Sequence, residues 1–364
     1  MTGQALENDV PMQGAGFYNA NSDLQAAGMH RALPLFDNIP STTASVPFSV
    51  VEYGCAQGAN SILPFKRILH ARYIANRSTS GEAEETDQEA LLTFSDREGN
   101  DFNTLVQTIA QSQWLPTDQS SQPQPKILTS MVAGTFYDRL VPRDSVDVGF
   151  SLATLHHLER LPTANGEDST KIQAHEDLVR FLSLRAQEFR RGGSLVLSFV
   201  SHSSTGAPNY PELVDACRQA MIQMVGAQRI SPQVAGAFHV PTHDRTMEEV
   251  KRSLAVVNRL WHTEQVFEEE IVHPAYDRLL QHRQSTDRKE NENETEKASR
   301  WYAETVVDWM MAVIAGYFVK ALQSEAPELD AAARERLLSE WRNRTKEGFY
   351  QQYRDCKHFD IRNL

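Results

Sequence analysis

VVEYGCAQGANS, residues Val50–Ser61, is the stretch on which the reading of this chain turns. An apolar run with β-branched residues ends at Glu52 and Tyr53. Gly54 and a loop of small residues then lead toward a helix. In a parallel sheet, a strand hands a nucleotide-like ligand to a helix N-terminus in this way, because unpaired backbone N–H groups collect there. The spacing Gly54-x-x-x-Gly58 is not the G-x-G-x-x-G turn of dinucleotide sites. A looser loop led by an acid suits S-adenosylmethionine, which presents an amino-acid and sulfonium end in place of a pyrophosphate.

A second strand-like segment, Thr93–Asn103 (TFSDREGNDFN), carries Asp96 at its tip. An acid some tens of residues beyond the first loop is where a ribose diol is held, since one carboxylate accepts two hydroxyl hydrogen bonds at once. A solvated turn residue or a helix cap is the bland alternative for any single Asp.

The rest of the chain limits the choices. Its 364 residues suffice for one large α/β domain with an elaboration, or for two domains, and 40% apolar content fits a soluble globular protein. No run of about 18 apolar residues is seen, so no membrane span is expected. The opening MTGQALENDV is polar and acidic, which speaks against a secretory or mitochondrial leader and for a cytoplasmic location. Cys55, Cys217 and Cys356 are far apart and odd in number, so a reducing compartment is expected and a disulfide framework is not. No Cys/His cluster has zinc spacing, and no metal is expected. A net charge of −12 without a basic tract makes nucleic acid an unsuitable partner.

Periodicity outlines the fold. Strands are expected at Phe48–Tyr53, Leu91–Phe94, Val146–Leu152 and Ser194–Val200, and helices at Ser61–Tyr73, Asn103–Gln111 and Leu178–Arg190, the last stopped by Gly192-Gly193. Ala75–Glu89 and Leu115–Lys126 read as loops. After Ser201 the pattern turns helical, at Pro211–Val225, Thr246–Leu260, Trp301–Leu322 and Leu329–Arg344. Strands are added at Trp261–Val272 and within Glu347–Ile361. Gln281–Ser299 is a charged run with no assigned function. The expected architecture is α/β, a doubly wound Rossmann-like sheet with an α-helical cap. Residues 1–203, with 247–276 and 341–364, form the ligand-binding sheet domain, and 204–246 and 277–340 form the cap over the strand carboxyl ends.

The order of further motifs resembles the SABATH methyltransferases. MQGAGFYNANSDLQ (Met12–Gln25), EYGCAQGAN, SDREGNDFN, AGTFYDRLVP (Ala133–Pro142), LATLHHLERLP (Leu152–Pro162) and RAQEFRRGGSLVLSF (Arg185–Phe199) follow one another at the family's spacing, and FHVP…EEVK (Phe238–Lys251) extends the likeness weakly. The departures suggest a distant fungal or bacterial branch. The resemblance implies S-adenosylmethionine as methyl donor, S-adenosylhomocysteine as product, a small carboxylic acid as acceptor and a homodimer. N-methylation of a heterocycle, which the same family performs, stays open. A dinucleotide oxidoreductase and a non-catalytic binding relative are the other readings.

By the same resemblance, Tyr18, Ser22, Glu52, Gly54, Asn60, Asp96, Arg97, Thr135 and Phe136 belong to the cofactor site, and Tyr18, Gln25, His156 and His157 to the substrate site. Gln25, His156 and His157 are assigned to catalysis. Gln25 offers two uncharged N–H donors to a carboxylate oxygen. Glu52 stands where the family has Asp, and Arg97 where it has a larger apolar residue against adenine. His157 takes the place of a Trp that aims its indole N–H at the substrate carboxylate, and Ala153 that of a frequent Tyr. Both changes point away from a flat aromatic acid and toward an aliphatic or dicarboxylic one. In the stripe Trp301, Trp309, Met310, Met311 and Ile314, one or two residues are expected to line the acyl side.

Methyl transfer to a carboxylate is an in-line displacement by a nucleophile already ionised at neutral pH. No general base is required, and positioning alone can supply about 7–11 kcal/mol in favourable cases.

Overall fold

Six consecutive buried residues, Phe48–Tyr53, make the first strand, β1. A strand buried on both faces must sit centrally in a parallel sheet covered on both sides. In the computed structural model, which describes residues 10–39, 47–73, 89–115, 125–160, 162, 167–285, 292–357 and 359–363, this is where it lies. Beside it run β2 (Glu89–Asp96), β3 (Lys126–Ala133), β4 (Val146–Leu152) and β5 (Phe189–Val200), all parallel. Two antiparallel strands, β6 (Glu268–Val272) and β7 (Phe359–Asn363), complete the order β3-β2-β1-β4-β5-β7-β6. The chain moves outward from β1 to β3 and then returns to β1's other side with β4. The crevice at the carboxyl ends of β1 and β4 is therefore the topological switch point, where open α/β sheets bind ligands.

Side-chain alternation along β1 feeds two cores. Phe48 and Val50 pack with α2 (Asp23–Ala32), which follows the single turn α1 (Phe17–Ala20), and with α3 (Ile62–Tyr73) and α4 (Phe102–Ala110). Val51 and Tyr53 face α5 (Glu167–Glu188). A third core lies mainly among helices, with Ile271 of β6 at its edge. It joins α6 (Pro211–Gly226) and α7 (Pro232–Ala237) to α9 (Pro274–Ser285), α10 (Glu292–Glu325) and α11 (Ala331–Tyr353), around the fully buried Trp341. The remaining helix, α8 (Met247–Val256), opens on a capping box made by Thr246 and Glu249 and contributes Val250 to the α5 core. By length and composition α10 could cross a bilayer, and 67% of its apolar window is buried inside the fold.

Several expected boundaries move. β3 was not foreseen as a strand. It is an edge strand with half-exposed alternation, so it lacks the continuous apolar run of its neighbours. Gly192-Gly193 does not stop a helix. α5 ends at Glu188, and the pair lies inside β5 where the register to β4 shifts, Gly192 taking φ 84°. In Trp261–Val272 only Glu268–Val272 is strand; the Trp261 indole N–H instead donates to Leu182 O at 2.9 Å. Of residues 341–364, only Phe359–Asn363 joins the sheet, because α11 continues to Tyr353. All of the loop expected at Ala75–Glu89 except Glu89, which opens β2, and much of Leu115–Lys126 fall outside the described residues.

Candidate active site

The loop after β1 is held open by its own backbone. Gly54 N–H and Cys55 N–H both donate to Ser95 O, at 2.9 and 3.1 Å, and Ala56 N–H donates to Asp96 Oδ2 at 2.6 Å. Asp96 thus ties the tip of β2 to the loop of β1, and its other oxygen accepts from Arg97 N–H at 2.7 Å. Gly54 takes φ 93°, and a Cβ there would collide with the Thr154 side chain. Glycine is needed at that position twice over. Ala56 (φ 46°), Ala153 (φ 66°) and Tyr210 (φ 35°) are non-glycine residues in the left-handed region, and all three border one cavity of about 680 Å³. Such strain collects where a site over-determines the backbone.

The leading segment, Val10–Ala32, closes over this crevice. Asn60 Nδ2 donates to Ser22 Oγ at 2.9 Å, Asn19 Nδ2 to Gln57 O at 3.1 Å, and Gln57 Nε2 to Gln13 O at 2.7 Å. Gln13 N–H in turn donates to Ala312 O of α10 at 3.0 Å. Gln25, in α2, is buried, and its Oε1 accepts the Trp309 indole N–H at 2.6 Å. An indole N–H can only donate, so the amide oxygen must face Trp309. That fixes the orientation of the amide and leaves its two N–H donors for the cavity that both residues line.

His156 and His157 follow β4 on a clamped turn. His156 O accepts from His243 N–H at 2.8 Å, His157 O accepts from Tyr137 O–H at 2.9 Å, and His157 N–H donates to Thr154 O at 3.0 Å. Arg245, fully buried, donates to Leu155 O and Ala174 O from the other side. The two rings stack with centroids 4.4 Å apart and line the cavity, each Nδ1 without a hydrogen-bond partner among the described residues. Burial pushes the His157 pKa down to about 3 and that of His156 well below the ordinary value, with His157 and Arg362 adding to the latter. Both are neutral imidazoles at pH 7, so each ring has a single N–H to donate and carries no charge to strengthen it.

Charges of both signs border the crevice. Glu52, 1% exposed, has its Oε2 buried without a partner among the described residues. Burial raises its pKa to about 8, offset in part by the Ser61 hydroxyl. Arg362, 1% exposed on β7, reaches the same cavity. Its register partner is Val200, at the carboxyl end of β5. Space for the guanidinium exists because residue 28 is glycine; a Cβ on Gly28 would run into it. Phe136 is held in the wall through its own backbone, its carbonyl accepting from the buried Arg185 at 2.8 Å. Arg185 pairs with Glu188, which also accepts the Tyr53 O–H at 2.8 Å.

Of the residues expected from sequence, Tyr18, Gln25, Glu52, Gly54, Asn60 and Asp96 line the cavity together, and so do Arg97, Phe136, His156 and His157. Ser22 and Thr135 do not. Ser22 instead anchors Asn60, and Thr135 Oγ1 accepts from Tyr137 N–H at 3.2 Å. The Asn60 amide, assigned to the cofactor site, donates toward Ser22 from its place in the cavity wall. From the α10 stripe, Trp309, Met310 and Ile314 reach the cavity, whereas Met311 is buried in the helical core and Trp301 packs against that core. Sequence reasoning missed Arg362, Tyr210 and the α6 wall. Arg362 had no local motif to mark it.

The crevice fits S-adenosylmethionine. Gly54 keeps open a cradle that a side chain would fill, and the orphaned Glu52 Oε2 suits an ammonium group. Asp96, whose two oxygens accept from the Ala56 and Arg97 backbone N–H groups, stands at the tip of β2 on the wall of the same cavity, where a carboxylate suits a ribose diol.

Comparison with known proteins agrees. The family described as SAM dependent carboxyl methyltransferase matches residues 8–173 and 169–333. Methyltransferase LUC1 of a Fusarium species is 42% identical over 366 residues, covering 98% of this chain and 96% of that protein. O-methyltransferase acrG of Aspergillus aculeatus is 40% identical, covering 96% of this chain and 94% of its own length. The plant Gibberellic acid methyltransferase 2 of Arabidopsis thaliana is 26% identical, covering 64% of this chain and 67% of that protein. Among solved structures, loganic acid methyltransferase with SAH shares the fold, with a TM-score of 0.69 at 17% identity and 97% coverage of both chains.

Proposed function

This chain belongs to the family of S-adenosylmethionine-dependent carboxyl methyltransferases, and from that premise we propose that it esterifies a small organic acid, aliphatic or dicarboxylic, by in-line methyl transfer without a general base. The bound cofactor supplies an electrophilic methyl group on a sulfonium. Every other part of the task falls to the protein's side chains.

The observation that carries the reading is the Gln25–Trp309 hydrogen bond at 2.6 Å. It sets the amide nitrogen toward the cavity, where two N–H donors can receive a carboxylate oxygen. The neutral ring of His157 adds one more donor to the same cavity. Neither ring suits proton abstraction: burial holds the His157 pKa at about 3 and that of His156 well below the ordinary value, and an imidazole so depressed is a feeble base at pH 7. An acceptor that arrives already ionised needs none. Arg362 supplies positive charge within the cavity, which an anionic acceptor requires. On the cofactor side, Glu52, Gly54, Asp96, Arg97 and Phe136 would hold the amino-acid, ribose and adenine parts, and Tyr18 would cover the junction.

A homodimer in the cytoplasm belongs to the same proposal and rests on resemblance and composition; sedimentation of the purified chain tests the stoichiometry. The reaction itself is tested by incubating the protein with methyl-labelled S-adenosylmethionine and a panel of acids and heterocycles. Label in methyl esters supports the reading, and label confined to N-methyl products refutes it.

A further inference from the structure

The cavity does not end at the histidine pair. One face of α6 borders it along nearly the whole helix, through Tyr210, Val214, Cys217, Met221, Ile222 and Val225. Those positions recur at helical spacing over sixteen residues, and at 1.5 Å per step the stripe is about 22 Å long. α10 forms the facing wall with Met310, Val313 and Ile314, and α7 adds Ala235. The ionised side chain on the α6 wall is Arg218, which is 60% exposed and already paired with Asp215. The rim is apolar too. Val214 and Ile222, 49% and 53% exposed, are among the exposed large hydrophobic residues of the described structure. Surface hydrophobes that continue the wall of a cavity mark the way in for an apolar ligand.

On the reading that this cavity esterifies an acid, we propose that the acid carries an extended, unbranched apolar chain, lodged along α6 between α7 and α10 with its carboxylate at Gln25 and His157. A compact ring acid would leave the α6 side of the cavity unfilled and its exposed rim at Val214 and Ile222 uncovered. A chain covers it, and each methylene taken from water adds to binding.

The experiment measures kcat/KM for esterification across straight-chain alkanoic acids of increasing length, kept below their micellar concentrations, with benzoic acid as the compact comparison. The expected result is a rise of roughly fourfold per methylene until the wall is covered, then a plateau. Equal rates at all lengths, or a preference for benzoic acid, overturn the inference and leave esterification standing. No ester from any acid overturns both. The variant Ala235→Trp, which fills the lobe, should lower the ratio of long-chain to short-chain kcat/KM at least tenfold; an equal loss for all acids contradicts the placement. Should that variant fail to fold, competition by dodecanoic acid against butanoic acid turnover in the unaltered protein decides. Inhibition below millimolar concentration supports the lobe, and none overturns it.

Discussion

The two halves of the cavity are built by different physics. On the sheet side, the walls are backbone and polar. Loops with left-handed residues at Gly54, Ala56 and Ala153 are fixed by a hydrogen bond donated to Asp96 and by others donated from Tyr137 and Arg245. On the cap side the walls are apolar faces of α6 and α10, held by packing around Trp341. Loss of a buried polar partner leaves a desolvated group behind, whereas trimming an apolar wall costs area in proportion. Changes on the sheet side should therefore be abrupt, and changes on the cap side graded.

The largest expected effect tests the junction between the halves. Gln25→Ala should lower kcat/KM for the acid by about 100-fold or more, with cofactor affinity within a few fold of normal. Trp309→Phe, which removes the orienting N–H together with part of the ring in the cavity wall, should give a smaller loss of the same kind. If both variants raised the cofactor Kd instead, the division of labour drawn here would fail.

Next in size is Asp96→Ala. It removes the acceptor for Ala56 N–H together with the proposed ribose partner, and should weaken S-adenosylmethionine binding roughly 30-fold by calorimetry. An unchanged Kd would show that the ribose lies elsewhere.

A third outcome concerns protons. Burial lifts the Glu52 pKa to about 8, so it is mostly protonated at pH 7, and a cationic ligand favours its ionised form. Cofactor binding should release a proton, and affinity should rise by up to about tenfold per pH unit from pH 6 toward 8. Glu52→Gln should flatten that dependence; the same slope in the variant would exclude Glu52.

The smallest effect is on stability. His156, His157 and His273 all have depressed pKa values, through burial first. The unfolded chain takes up protons as pH falls below about 6.5, and the folded chain does not until near 3 for His157 and His273. The stability these groups contribute is present above pH 6.5 and is lost as pH falls through that window, by about 1.4 kcal/mol per unit for each proton. Denaturant midpoints from pH 7 to 5 should fall less steeply for His157→Gln. An identical slope would contradict burial of a neutral ring.

The sheet side was the more legible in sequence because its residues sit on local punctuation. Glycine loops and strand-end acids are decided by neighbours a few positions away, and this is why Glu52, Gly54 and Asp96 could be named. Gln25 was named by resemblance, but its partner Trp309 lies 284 residues away and only the fold brings them together. Arg362 was invisible for the same reason. It enters the site through antiparallel pairing of β7 with β5, and the room it needs is made by Gly28 on another element. α6 was recognised as a helix, yet an apolar stripe does not say whether it faces a core or a cavity. Ser22 and Thr135 show the opposite error, since a motif can place a residue beside a site without turning it inward.

The account turns on where the methyl group goes. Incubation with methyl-labelled S-adenosylmethionine and a straight-chain acid, followed by mild alkali, reads this directly. The account predicts label that alkali releases as methanol, and that falls about 100-fold in Gln25→Ala. Label that resists alkali, or an enzyme that binds neither S-adenosylmethionine nor S-adenosylhomocysteine, would contradict it.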